Sequence, residues 1–288
     1  MKYLKSIANH KKAYLLALLP FAVIIIMFEL IPLVTVIVRS FFSHGEISFT
    51  LQNYVDIFSQ KLYRDAVLNS IQISAVSSLI GIIVAFFGAE AANSATDKTR
   101  NLFMSLLNMT SNFAGIPLAF AFIILLGNTG VLVMLGKNFG IGGLAEFKLY
   151  SFNGLLLTYI YFQIPMATLL LLPSFDGLKK EWRESVSLMG GSGYHYWVKV
   201  GVPNLLPGIL GTLSTLFANS IAAYATAYAL LAGNYSLLPI RISEQFVGDV
   251  VQRKEFGSAL AVILMLLMVA ATLLNNIILK RQRGEGTR

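Results

Sequence analysis

The chain has 288 residues, 56% hydrophobic and 12% charged, with a mean hydropathy of +0.70 and a net charge of +8. A soluble domain carries about 25% charged residues, so this chain lacks the polar surface to cover a water-soluble globule, and lipid is its expected solvent. Cysteine is absent, which excludes disulfides, thiolate catalysis and cysteine-ligated metals, and His10, His44 and His195 form no HExxH or HxxxH pattern.

A bilayer core of about 30 Å needs roughly 20 apolar residues in a helix. Six stretches meet that length, at about 14–38, 66–92, 102–126, 152–172, 207–231 and 257–279. The fold class is therefore an all-α membrane protein with six transmembrane helices. The first span is too long for a signal-peptide core, and no small-residue cleavage site follows it cleanly, so it is expected to remain as a helix.

Polar residues within the spans are the first candidates for function. Glu29 lies three residues before Pro32 in span one. It faces a cavity, attracts a cationic substrate, bonds to a neighbouring helix, or sits hydrated near the outer interface. Glu90 falls near the inner end of span two, which also holds Asn69 and Gln72. Span three carries Asn108, Thr110, Ser111 and Asn112, and Gly115 with Pro117 interrupts it, which would expose backbone groups to a pathway. Span four has Tyr159, Tyr161 and Gln163 before Pro165, and span five has Asn219, Ser220, Tyr224 and Tyr228. Tyr224 and Tyr228 share a helical face that Ser220 joins, whereas Asn219 and Tyr224 do not share one. Hydrogen bonds between helices are the ordinary use of such groups. Glu29, Asn112, Tyr161, Asn219, Tyr224 and Tyr228 are carried forward as substrate-pathway candidates.

The basic residues orient the chain. Lys2, Lys5, Lys11 and Lys12 precede span one, Lys98 and Arg100 follow span two, and Lys179, Lys180, Arg183 and Lys199 follow span four. Lys280, Arg281, Arg283 and Arg288 follow span six. The opposite connections hold fewer bases, offset by Glu46, Asp56, Asp65, Glu146, Glu244, Asp249 and Glu255. The base-rich face is expected in the cytoplasm, with both termini, residues 1–13 and 280–288, on that side of a 14–279 membrane domain. The bases do not cluster with aromatics in a water-soluble segment, so no nucleic-acid partner is expected. No GxxxxGK[ST] phosphate loop occurs.

Of the connections, the first outer one contains an amphipathic stretch at 51–63, and the third, 127–151, is glycine-rich. The connection 174–207 is the longest inner one. Good helix formers run from Lys179 to Met189, with Asp176 placed to cap them and Lys180 and Glu184 spaced for an i, i+4 pair. Gly190, Gly191 and Gly193 end that helix, a second short helix follows through Trp197, and Pro203 and Pro207 restart the chain toward the membrane. Periodicity alone leaves two readings open, a docking element or an interfacial hairpin without function.

The spacing from Glu184 to Pro207 resembles the EAA loop of permease subunits in binding-protein-dependent ABC importers. Glu184 fits the acid, Gly190 the glycine six residues on, Trp197 the aromatic, Val200 and Val202 the aliphatics, and Pro203 and Pro207 the prolines. Ser185 and Val186 stand where the family has two alanines, and Gly191 where it has alanine or serine. The resemblance implies a type I ABC importer permease fold with cytoplasmic coupling helices, in a bacterial-type inner membrane. It implies that Glu184, Gly190, Gly191, Trp197, Pro203 and Pro207 couple the chain to an ATPase. Glu184 then pairs with a base on that ATPase, pairs with Lys180 in its own loop, or stands as a solvated charge. The implied partners are two ATP-binding subunits, a second permease subunit of different sequence, an extracytoplasmic solute-binding protein and membrane lipid. ATP and Mg would sit on the partner ATPase, and this chain would hold no cofactor, metal or catalytic residue.

A weaker resemblance points to the spermidine/putrescine permease group and its iron, thiamine and phosphonate relatives. It rests on Phe49–Tyr54 (FTLQNY), Gly115–Phe120 (GIPLAF), and Leu237–Phe246 running into Phe256. A polyamine is the substrate this implies. A secondary transporter would need more intramembrane charge and internal repeats, and a membrane enzyme would need a catalytic cluster.

Overall fold

The computed structural model describes residues 18–43, 45, 48–231, 235–247 and 252–285, with side chains to 280. Residues 1–13, with Lys2, Lys5, His10, Lys11 and Lys12, lie outside the described residues, as do His44, Glu46, Asp249 and Arg288. Among the described residues, six helical segments are long and apolar enough to cross a membrane. Among the described residues there is no strand, only an isolated bridge between Phe42 and Phe49. The chain divides into two compact units, Met1–Gln60 with Ile242–Ile263, and Lys61–Arg241 with Leu264–Arg288.

In the first unit, α1 (Leu18–Arg39) is apolar along its length, and its most apolar window buries no residue. A wide π turn at Ile26–Leu30 directly precedes Pro32, with Ile31 N–H bonded to Ile26 O. Such a turn absorbs the extra residue at which a proline offers no N–H. The helix ends in a tied loop. Asn53 Nδ2 donates to Ser40 O at 3.0 Å and Phe42 O at 2.9 Å, and the Tyr54 hydroxyl meets Ser40 Oγ at 2.7 Å. Phe41 stacks on Phe49 at 5.6 Å. The FTLQNY stretch thus fastens α2 (Gln52–Ser59) to the end of α1. Ile57 is buried in this unit, as are Phe256, Ala259 and Leu260 at the start of α13 (Lys254–Glu285). Arg253 lies over the Phe256 ring at 4.6 Å and 3.9 Å from Asp56.

The second unit is a helical bundle built on α3 (Lys61–Ser94) and α8 (Phe152–Asp176). The 34 residues of α3 span about 51 Å at 1.5 Å per residue, well beyond the hydrocarbon core. Gly81, Ala85, Gly88, Ala89 and Ala92 give it a small-residue face. A Cβ on Gly81 would stand 3.2 Å from Gln163 Cβ, and one on Gly88 would stand 3.4 Å from Thr168. Lipid offers no hydrophobic drive between apolar helices, so this close approach is what holds the pair. Nearer the 174–207 loop, the core joins Ile82, Ala85, Ala167, Leu171, Phe175, Leu205 and Leu216. Farther from it, a second core joins Leu118, Phe122, Leu155, Tyr159, Leu230 and Ile240.

Two spans differ from expectation. The segment 102–126 is not one helix. Instead α4 (Asp97–Ser111) stops at Asn112, and α5 (Ile116–Leu126) begins after Gly115, whose φ of 73° only glycine adopts readily. The third membrane-length segment is Ile116–Phe139, made of α5 and α6 (Val131–Phe139), and α7 (Gly142–Ala145) follows. The fifth begins well before Pro207. It is α10 (Gly193–Ile221), which passes through a π turn at Trp197–Gly201, breaks at Ala222–Ala223 and resumes as α11 (Tyr224–Leu231). The prolines therefore do not restart the chain, because the π turn takes up Pro203 as the turn in α1 takes up Pro32. Pro165 and Pro173 likewise stay inside α8. The chain passes from one unit to the other through α12 (Leu238–Phe246) and α13.

Candidate functional site

The 174–207 loop forms a short helix, α9 (Lys180–Leu188), a glycine turn, and the start of α10. Gly190 N–H bonds to Ser187 O at 3.0 Å and Gly191 N–H to Val186 O at 2.9 Å, with Gly190 at φ 75°. That pair of bonds is a Schellman motif, which satisfies the last carbonyls of α9 and reverses the chain tightly. Gly191 is needed as well, because a Cβ there would lie 2.7 Å from Val186 Cγ1.

Trp197 is an anchor rather than a surface residue. Its ring lies 5.6 Å from Phe86 of α3 and 6.4 Å from Phe175 of α8. Phe86 and Phe175 themselves meet edge to face at 5.2 Å. Gly208 gives α10 close passage over Ser174, and Leu205 beside it is fully buried. Pro203 and Pro207 are exposed.

Asp176 does not cap α9, whose N-cap position is Lys179. It is the last residue of α8, and both its oxygens accept from Arg100 Nη2, at 2.8 and 2.7 Å. That hydrogen bond is the first cause of a raised Arg100 pKa. Glu184 is exposed, and among the described residues its carboxylate makes no ion pair with Lys180. Between α9 and the bundle lies a polar cavity of about 560 Å³, lined by Glu90, Asn93, Lys180, Arg183 and Glu184. The tip of the loop is apolar and open, with Leu188 exposed to 89%, Met189 to 79% and Tyr194 to 74%. Sequence reasoning passed over these three. Their signal was a pair of apolar residues closing a polar helix against a glycine turn.

A second cavity, about 470 Å³, opens where the two interrupted helices meet. Ser111 and Gly115 line it from the α4–α5 break, Asn219 and Tyr224 from the α10–α11 break, and Phe162 and Met166 from α8. The breaks are braced across the bundle. The Tyr159 hydroxyl donates to Ala223 O at 2.8 Å, and Thr226 Oγ1 donates to Gly115 O at 3.3 Å. Asn219 and Tyr224, which a continuous helix would hold on different faces, share this cavity because the helix breaks between them. Tyr228 stacks on Tyr224 at 5.2 Å. Asn112, at the end of α4, turns its Nδ2 to Asn108 O at 2.8 Å. Tyr161 packs instead on Phe122, and Ser220 turns to Ser77 Oγ at 3.2 Å rather than joining the tyrosines. Glu29 is exposed on the π turn of α1, in the other unit. No charged side chain lines the cavity, and among the described residues no cluster of metal-ligating groups occurs.

Six membrane-length segments, a cavity at two interrupted helices and a helical loop mark a multi-pass helical membrane protein. Residues 77–284 match the family of binding-protein-dependent transport system inner membrane components, and the chain belongs to that family. It is similar to the thiamine transport system permease protein ThiP of Salmonella typhimurium, 27% identical over 158 residues. That match covers 55% of this chain and 29% of the relative, so the chain spans under a third of that protein's length. It is also similar to the spermidine/putrescine transport system permease protein PotB of Haemophilus influenzae, 22% identical over 249 residues, covering 85% of this chain and 86% of the relative. The fold is that of a chain from a bacterial ABC transporter that imports the acidic polysaccharide alginate. That likeness has a TM-score of 0.74 at 16% identity and covers 98% of this chain and 99% of that one. The alginate transporter in complex with its alginate pentasaccharide-bound periplasmic protein gives a TM-score of 0.73, at 15% identity and 96% coverage of each chain.

Proposed function

We propose that this chain is one half of the translocation pathway of an ATP-driven importer, receiving a small cationic solute from an extracytoplasmic binding protein. A separate pair of ATPase subunits docks on the 174–207 loop, a second permease subunit completes the pathway, and both termini lie in the cytoplasm. The observation that carries this reading is the loop itself. Its Schellman turn and Trp197 anchor make a rigid knob, and a rigid knob passes a rigid-body movement into the spans where a loose loop would dissipate it. The apolar tip at Leu188, Met189 and Tyr194 is the part left for a partner's groove. ATP and Mg belong to the ATPase in this scheme, and the chain performs no bond chemistry.

A polyamine is the first solute to test, supported by the spermidine/putrescine relative that aligns over most of the chain. Tyr224 gives the cavity an aromatic wall suited to a cation, and the carbonyl ends of α4 and α10 add partial negative charge there, set against the N–H ends of α5 and α11. Thiamine, also a cation, is the second, on the strength of the thiamine permease relative.

The test is reconstitution with the ATPase, second permease and binding protein. Gly190→Pro and Glu184→Arg are expected to leave ATP hydrolysis running while uptake stops. Undiminished uptake by both variants would remove the coupling role, and spermidine that failed to raise ATP hydrolysis would remove the polyamine.

A further inference from the structure

Arg100 and Asp176 stand 76 residues apart in sequence and meet through two hydrogen bonds. Both side chains are partly open to solvent, at 27% and 44%. An exposed pair of this kind contributes little to stability; here one guanidinium nitrogen reaches both carboxylate oxygens and ties the end of α8 to the first turn of α4. Asp176 is the root of the loop, since α9 begins four residues later at Lys180. Arg100 lies in the first turn of α4.

The far end of α4 is Ser111, which lines the cavity between the interrupted helices. The 15 residues of α4 reach about 22 Å, so one stiff element runs from the loop's root to the cavity wall. It is flanked by non-helical links on both sides, Ala95–Thr96 before it and Asn112–Gly115 after it. Its inward face packs along α8, with Leu107 buried and Phe103 and Met104 partly buried, while Leu102, Leu106 and Met109 are exposed. A helix that packs along α8 and is tied to its end at Asp176 moves with that end.

We propose that Arg100 is a positioning residue for transport, through which displacement of the loop root at Asp176 swings α4 and resets the cavity wall at Ser111. This rests on the coupling role of the loop. It adds a mechanical link from that loop to the candidate solute cavity, by way of a helix that carries no part of the docking surface.

The chain has no cysteine, so Ser111→Cys supplies its sole thiol. The Ser111→Cys chain, assembled with its ATPase and second permease in vesicles, is labelled with N-ethylmaleimide without nucleotide and with ATP plus vanadate. The labelling rate is read on this chain by mass spectrometry. The expected result is a rate that differs between the two states, a difference lost in Arg100→Ala and restored in the exchanged pair Arg100→Asp with Asp176→Arg. Restoration by the exchanged pair separates a lost link from a misfolded chain. An Arg100→Ala complex that keeps the full difference overturns the proposal. So does an exchanged pair that assembles and hydrolyses ATP normally without restoring it. A Ser111→Cys rate indifferent to nucleotide also overturns it. In that event, uncoupling by Gly190→Pro still leaves the loop's own role standing, whereas harmless loop variants take both readings down.

Discussion

The Trp197 ring lies so close over Gly201 that a Cβ on the glycine would stand 2.5 Å from Cε3 and 3.0 Å from Cζ3. The π turn from Trp197 to Gly201 brings the two together, and the same ring closes the Phe86–Phe175 cluster. Gly201→Ala must therefore displace the indole or bend the turn. Overpacking of this kind costs roughly 1–3 kcal/mol. The expected outcome is a lower unfolding temperature in detergent and a shifted Trp197 emission, read in a Trp182→Phe background because the chain has only two tryptophans. Unchanged emission would mean that the indole is not held there.

At Gly190 the constraint is the backbone alone. Nothing lies within 4 Å of where its Cβ would be, and φ is 75°. Left-handed backbone costs other residues about 1–2 kcal/mol and costs asparagine least. Uptake per ATP hydrolysed is expected to fall in the order glycine, asparagine, alanine, proline. If the ratio instead followed side-chain bulk, with asparagine worse than alanine, contact with the ATPase rather than turn geometry would be the cause.

Leu188 and Met189 support nothing in the chain itself, being 89% and 79% exposed. Leu188→Asp and Met189→Asp are expected to leave its stability within about 0.5 kcal/mol. Both should reduce the amount of ATPase that copurifies. Full copurification with the double variant would move the docking surface away from the tip.

The loop was legible because its turn and its spacing depend on residues with no substitutes. Gly190 and Gly191 mark a reversal that their backbone geometry requires, and Trp197 is the large aromatic that fills the gap beside Phe86 and Phe175. The broken helices were half legible. Gly115 and Pro117 announced an interruption, but the apolar content of 102–126 still suggested one span, because hydropathy averages across a break. The Ala222–Ala223 break carries no glycine or proline at all. It depends on Tyr159 reaching Ala223 O from another helix, and local sequence does not encode that contact. Asp176 was misassigned for a similar reason, since its position suits a cap but Arg100 offers two hydrogen bonds.

Gln163 shows how the same polar residue can read as pathway or as scaffold. It is fully buried on α8, accepts from Ser78 Oγ at 3.1 Å, and donates to Ser77 Oγ, which in turn meets Ser220 Oγ at 3.2 Å. Three helices, α3, α8 and α10, are tied through that one amide. Nearby Ser74 Oγ is buried without a partner among the described residues. Gln163→Leu keeps the volume but strands the Ser78 hydroxyl, while Ser77 keeps Ser220 Oγ and Ser74 O. Leaving buried polar groups unpaired costs about 1–3 kcal/mol in water-soluble proteins, and interhelical bonds in membranes average nearer 0.6 kcal/mol. A loss of about 1 kcal/mol in unfolding free energy is expected, with solute affinity unchanged, because Gln163 does not line the cavity. Ser78→Ala should recover part of that loss in the Gln163→Leu background, since no stranded hydroxyl would then remain between α3 and α8. A Gln163→Leu protein with wild-type stability but altered solute affinity would instead put this amide on the transport path.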